Sequence, residues 1–210
     1  MKNEYESQYS NSKINHEDCK SLPLVVKSKP ALIYAEISTK CNLRCRMCGR
    51  YNYEISSSQQ GFMKREIFHK LSELFAPGMQ LALFGRGETL LHPDFIYFLE
   101  MANKAHIKVG FNTNGLLLTP KIARAMVENK QTHIVFSCSA GSPETYHKIH
   151  GADAWHKLWD NINMLNEAKR KYGLPQGEGD INNVHPVIYL EIVSQLSNIS
   201  ELPVLLRRAF

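Results

Sequence analysis

No apolar run in this sequence approaches the ~20 residues that cross a bilayer, and the polar start MKNEYESQYSNSK lacks the apolar segment of a signal peptide. No membrane partner is expected, and a cytoplasmic location follows by default. Cysteine is scarce: the chain has 5, an odd number, with three crowded together and no second close pair anywhere. That pattern suits a reducing compartment and a metal site better than a disulfide framework, and a structural zinc site would lack the second pair it usually draws on. There is no sustained basic block either. The formal charge is +5, but Lys and Arg are dispersed apart from short clusters such as Lys169-Arg170-Lys171 and Arg207-Arg208, so nucleic-acid binding is weakly supported. No fixed-period repeat suggests a solenoid. The histidines lack metal-ligand spacing. His147 and His150 stand three apart with no obvious carboxylate partner, which favours surface or capping roles.

What is present is an ordinary globular composition of 43% hydrophobic and 21% charged residues, in a 210-residue chain of single-domain size. Its organising stretch is Cys41-Asn42-Leu43-Arg44-Cys45-Arg46-Met47-Cys48. Three thiolates on so tight a loop can wrap one metal centre, and thiolates select zinc, copper(I) or iron-sulfur clusters. A structural zinc site would want a fourth Cys or His, whereas a four-iron cubane held by three cysteines keeps one iron open for chemistry. Lys40, Arg44, Arg46 and Arg50 bracket the cysteines, where they could offset an anionic cluster or attract an acidic electron donor; a solvated face is the plainer reading. Cys19 and Cys138 stand alone.

Residues 1–29 read as a loosely ordered polar extension, with a short covering strand at Leu22 to Val26, and residues 30–210 as the core domain. Strands are expected at Ala31–Ser38, Leu81–Phe84, Ile107–Phe111, His133–Ser137 and Val187–Val193. Helices are expected over Lys64–Phe75, from Pro93 to about Ala105, from Pro120 to about Glu128, from Ser142 over a short stretch, over Ala154–Lys171, and from near Ser200 to Phe210. A polar connection covers Tyr51 to Gln60, and a Gly-, Asn-, Asp- and Pro-rich loop lies between Leu174 and Val184. This alternation implies parallel βαβ units, an α/β fold with five βα units and no sixth strand.

In parallel barrels ligands gather at the C-terminal ends of strands, and every unusual stretch lies at such an end. The cysteines follow the first strand and Gly85-Arg86-Gly87-Glu88 the second. In the latter, small glycines admit close backbone approach and Glu88 supplies an acceptor for an ammonium, or simply starts a helix after a tight turn. Thr113-Asn114-Gly115 follows the third strand, where Asn114-Gly115 also reads as a plain turn, and Ser137-Cys138-Ser139-Ala140-Gly141 closes the fourth. Cys138 alternates to the face opposite Ser137 and reads as a buried structural thiol. Glu191, on the fifth strand, is equally open to a barrel-facing or a surface role.

Through these four stretches, in order, residues 31 to about 209 resemble the radical S-adenosylmethionine (radical SAM) superfamily, whose signature is Cys-x-x-x-Cys-x-x-Cys, commonly CNLRCxMC. The resemblance implies a parallel partial barrel similar to a TIM barrel, apparently truncated after the fifth unit. It implies a [4Fe-4S] cluster on Cys41, Cys45 and Cys48 whose open iron is chelated by S-adenosylmethionine. Met47, Gly85, Gly87, Glu88, Thr113, Asn114, Ser137 and Ser139 fall where the family contacts that cofactor. Thr89 replaces the proline usual after the glutamate, Ser139 replaces an acid of the Ser-x-Asp strand end, and His150 stands where an arginine is common. The implied activity is reductive cleavage to a 5'-deoxyadenosyl radical that abstracts hydrogen from a peptide, protein or cofactor-precursor substrate, with electrons from a flavodoxin or ferredoxin type of donor. The likeness is greatest to the branch with a C-terminal SPASM or twitch auxiliary-cluster domain, although no cysteine follows Cys138 to ligate a second cluster. The contrasting expectation is a non-catalytic iron-sulfur or zinc-binding module without turnover.

Overall fold

Each strand lies beside the next in chain order, giving a five-stranded, all-parallel sheet of order β1-β2-β3-β4-β5. The strands are β1 (Leu32–Tyr34), β2 (Gln80–Leu83), β3 (Lys108–Thr113), β4 (Thr132–Ser137) and β5 (Val187–Glu191). The computed structural model describes residues 13–21, 25–52, 56–129, 132–173 and 184–209. The loop expected between Leu174 and Val184 falls, up to residue 183, outside them, as do most of the expected strand at Leu22 to Val26, residues 1–12 and Phe210. A helix over 13–21 (α1) replaces part of the loosely ordered extension. Its Asp18 carboxylate gathers the returning chain by accepting from Lys27 N–H at 2.9 Å and Ser28 N–H at 2.8 Å.

A short α2 (Gly49–Asn52) was not expected, and α3 (Arg65–Ser72) stops short of the expected end at Phe75. The later helices lie where the sequence places them, beginning with α4 (Phe95–Lys104). Next, α5 (Pro120–Glu128) begins with Thr119 Oγ1 accepting from Ile122 N–H, and α6 (Pro143–His150) with Ser142 Oγ accepting from Thr145 N–H. Both have proline in the first turn, where its missing N–H costs nothing. Gly151 ends α6 at φ 70°, a left-handed cap that glycine adopts without strain. The long α7 (Trp155–Ala168) runs on into a π-helical turn, and α8 (Leu202–Ala209) follows a 3₁₀ turn at Ile199–Glu201.

Two strands are shorter than the apolar runs that announced them, because their ends have other partners. Beyond Tyr34, Ile37 O accepts from Met63 N–H and Ser38 bridges Phe62, so this segment leaves the ladder to hold the chain after the cysteines. Beyond Glu191, Val193 N–H donates to Ser139 Oγ rather than to a neighbouring strand.

Alternation gives the sheet two unlike faces. Leu81, Leu83, Val109, Phe111, Ile134 and Phe136 are all 2% exposed or less and meet the helices in one core. Phe111 takes the edge of Phe95 at 4.9 Å, and Phe68 stacks on Phe98 at 4.0 Å. The opposite face carries Tyr34, Ala82, Asn112, His133, Ser137, Tyr189 and Glu191, none of them buried. Gly110 is needed there, since a Cβ would lie 1.9 Å from the His133 ring.

Candidate functional site

The cysteine loop leaves the C-terminal end of β1 and is held on three sides, twice by backbone and once by paired side chains. On the β2 side, Glu88 N–H donates to Lys40 O at 2.7 Å, and a Cβ on Gly87 would lie 2.0 Å from Ser38 O and 2.7 Å from Lys40 O. Only glycine allows that approach. On the β3 side, Asn114 Nδ2 donates to Asn42 Oδ1 at 2.9 Å. On the α6 side, Arg46 N–H donates to Ile149 O at 2.9 Å. Within the loop, Cys48 N–H donates to Cys45 O, and Leu43 N–H points at Cys41 Sγ at 3.5 Å.

The three thiols are half-buried. Burial raises the pKa of Cys41, and pushes Cys45 up to about 12 with help from the charges of Cys41 and Cys48. Burial thus favours the protonated forms of Cys41 and Cys45, and a bound metal centre would supply the positive charge that makes them thiolates. Among the described residues no three His, Cys, Asp or Glu side chains are gathered tightly enough to hold one metal ion as they stand. A cubane, in which each thiolate binds its own iron, sets its three sulfurs further apart than the ligands of a single ion. Arg50 supports an anionic occupant: its Nε is buried without a hydrogen-bond partner among the described residues, and its charge lies close enough to lower the pKa of Cys41. The donor set therefore fits an iron-sulfur cluster. Met47 is half-buried within the loop.

Glu88 is 3% exposed and works inward. Its Oε1 accepts from Thr113 Oγ1 at 2.6 Å and Leu90 N–H at 3.0 Å, and its Oε2 from Asn114 N–H at 2.8 Å. Burial raises its pKa, and these three hydrogen bonds oppose the rise. One carboxylate thus ties the β2 turn to the end of β3 and keeps one oxygen with spare acceptor capacity. Gly85 gives room to a residue the sequence reading passed over: a Cβ would lie 2.5 Å from the Glu36 side chain, whose carboxylate accepts from Arg86 N–H.

The end of β4 is assembled from further away. Ser139 is 1% exposed, its Oγ accepts from Val193 N–H at 3.1 Å, and its carbonyl accepts from Asn198 Nδ2 at 2.9 Å. Asn198 is fully buried and also bonds Val193 O and Gln195 N–H. Glu201 accepts from Gly141 N–H, Ser142 Oγ and Thr145 Oγ1, each at 2.7 Å. Neither Asn198 nor Glu201 was marked by the sequence, since the bonds by which they hold the β4 end and the start of α6 span 56 to 60 positions. Ser137 belongs to the open face, where its Oγ and Asn112 Nδ2 both donate to Glu191 Oε2, at 3.3 and 3.0 Å. Cys138 is fully buried with its thiol toward Ala140 O, and Cys19 is exposed on α1.

Of the two histidines, His147 lies on the surface as expected and there meets a carboxylate, Asp153, at 2.6 Å. The expectation for the other is corrected. His150 is neither a surface nor a capping residue: it is 1% exposed, its Nε2 lies 3.3 Å from Ser139 N and its Nδ1 lies 3.3 Å from Cys45 Sγ. Burial lowers its pKa to about 4. The last turn of α6, tied to the loop through Arg46 N–H on Ile149 O, holds it beside Cys45, a placement that local spacing does not encode.

A family model described as the radical SAM superfamily matches residues 35–180, more than half of the chain. The chain belongs to the radical SAM superfamily. This radical SAM chain is similar, at 33% identity over 109 residues, to a tungsten-containing aldehyde ferredoxin oxidoreductase cofactor-modifying protein of Pyrococcus furiosus, covering 50% of this chain and 30% of that protein. It is 26% identical over 147 residues to an AdoMet-dependent heme synthase of Methanosarcina barkeri, covering 69% of this chain and 42% of that one. Solved structures of Streptococcus suis SuiB, bound to S-adenosylmethionine and to the precursor peptide SuiA, share the fold. Each has a TM-score of 0.57 at 18% identity, over 78% of this chain and 37% and 36% of theirs. The matches thus span less than half the length of these relatives. The fold is accordingly an α/β parallel partial barrel of the radical SAM type, a family that uses a [4Fe-4S] cluster and S-adenosylmethionine.

Proposed function

We propose that this chain is the catalytic core of a radical SAM enzyme, with Cys41, Cys45 and Cys48 holding the cluster and the adjoining strand ends holding S-adenosylmethionine. The observation that carries the reading is the knitting of the cysteine loop to the β2 and β3 ends, through Glu88 N–H on Lys40 O and Asn114 Nδ2 on Asn42 Oδ1. When bound, the two cofactors supply one-electron cleavage of a sulfonium and hydrogen-atom abstraction. The chain's own part is to bind, orient and exclude. Gly87 lets the β2 turn sit flat against the loop, Glu88 fixes Thr113 and Asn114 and offers its spare lone pair to the cofactor's ammonium, and Met47 and Gly85 line the approach. Ser137 offers its hydroxyl on the open face, and Ser139 acts from below by holding His150 and the chain after β5.

Exposed Lys40, Arg44 and Arg46 surround the cysteines and suit an acidic electron donor. The open face, with Tyr34 64%, Phe84 42% and Tyr189 53% exposed, suits a peptide or another substrate with apolar side chains, a class in keeping with the peptide on SuiB. A Cys3His zinc module is disfavoured by the same geometry. Ser139 N–H donates to His150 Nε2, which leaves the ring proton on Nδ1, the atom that would have to ligate zinc.

Anaerobic reconstitution tests the proposal, with four iron and four sulfide per chain and formation of 5'-deoxyadenosine from S-adenosylmethionine as the expected result. A chain that takes up zinc and no sulfide would overturn it.

A further inference from the structure

Beneath the cysteine loop the His150 ring is gripped from every side. Its Nε2 lies 3.3 Å from Ser139 N, its face stacks on Tyr146 at 4.3 Å, and its neighbours Ile149 and Gly151 are tied by Arg46 N–H and by the left-handed cap. A backbone N–H can only donate, so Nε2 must accept, and the ring's one proton sits on Nδ1. Nδ1 lies 3.3 Å from Cys45 Sγ, within reach of an N–H···S hydrogen bond. None of this depends on local sequence pattern: β4 supplies the donor that fixes the tautomer, α6 the ring and the cysteine loop the acceptor.

We infer that His150 donates Nδ1–H to the sulfur of Cys45 and thereby raises the reduction potential of the cluster that Cys45 ligates, an inference resting on the cluster reading above. A one-electron reduction adds negative charge that the thiolate sulfurs share, and a fixed donor aimed at one sulfur stabilises the reduced form more than the oxidised one. His150 is a positioning residue. It acts through Cys45 and needs no contact with substrate.

The test replaces His150 in the whole chain and reads the cluster's midpoint potential by mediated titration followed by electron paramagnetic resonance, alongside iron and sulfide content. His150→Phe keeps an aromatic ring against Tyr146, slightly larger than the imidazole, while removing both nitrogens. The expected result is full cluster content with roughly tenfold less reduced cluster at a given applied potential, which for one electron is a shift of about 59 mV downward. Full content with an unmoved potential overturns the inference. Should His150→Phe fail to load, His150→Asn decides, because its amide N–H takes the place of Nδ1–H. Loading at the unmutated potential supports the inference, and failure to load, or a lowered potential, overturns it. The cluster reading is judged separately, on the iron and sulfide content of the unmutated chain; if that chain takes up no cluster, both fall.

Discussion

Two polar hubs flank the cysteine loop, and they are built from opposite kinds of carboxylate. On the β2–β3 side Glu88 is buried, and burial outweighs its three hydrogen bonds, so its pKa is raised. On the β4–α6 side burial also pushes Glu201 upward, but hydrogen bonds from Thr145, Ser142 and Gly141 outweigh it, and the group is held below its ordinary value. The first hub spends a desolvated charge on holding strand ends together. In the second, neutral Ser139, Asn198 and His150 hold the interior while the charge stays nearer the rim. A buried charge is therefore placed on the side where the Gly87 turn and Asn114 grip the loop, and a neutral ring is placed directly under Cys45.

The largest expected effects make the hubs irrelevant. Changing Cys41, Cys45 or Cys48 to alanine should abolish cluster uptake as measured by iron and sulfide content, while Cys19→Ala should leave it intact. Gly87→Ala comes next, since its Cβ meets carbonyl oxygens that cannot move without dragging the cysteine loop. A loss of about 3 kcal/mol or more is expected in denaturant unfolding, together with impaired cluster loading.

The two hubs separate at the level of single hydrogen bonds. Asn198→Ala strands the buried carbonyl of Ser139, at about 1–3 kcal/mol, removes a part-buried bond to Val193 O, and should destabilise the chain without removing the cysteine ligands.

Acidity separates them by sign. The folded chain binds the Glu88 proton more tightly than the unfolded chain does, so that contribution is complete below the ordinary value of 4.5 and is lost as pH rises through the raised value. Glu201 is the reverse: its contribution is complete above 4.5 and fades as pH falls through the lowered value. In melting curves against pH, Glu88→Gln should flatten the decline above 4.5 and Glu201→Gln the decline below it. Matching slopes in the two variants would erase the contrast between the hubs.

The smallest effect belongs to Cys138→Ala, which deletes one buried sulfur on the core side of β4. About 1 kcal/mol of stability should go, with cluster content unchanged.

The sequence by itself determined the order and kind of the five strands and of the helices from α3 onward, though not α1 or α2. Alternating apolar runs, Thr119-Pro120 and Ser142-Pro143 are local signals, and hydrogen bonds within four residues act on them directly. It also marked the strand ends that meet, because Cys-x-x-x-Cys-x-x-Cys and Gly-Arg-Gly-Glu are compact. Strand lengths were less legible: β1 and β5 stop early where Met63 and Ser139 capture backbone groups that the ladder would otherwise use. Only the tertiary structure decided that Glu88 faces inward, that Glu36 fills the space over Gly85, and that Asn198 and Glu201 hold the end of β4. It also turned His150 from an expected surface residue into a buried donor under Cys45. The physical reason is distance along the chain. Hydrogen bonds between residues 105 positions apart, as for Cys45 and His150, leave no periodicity to read and exist only once the sheet has brought its strand ends into one row.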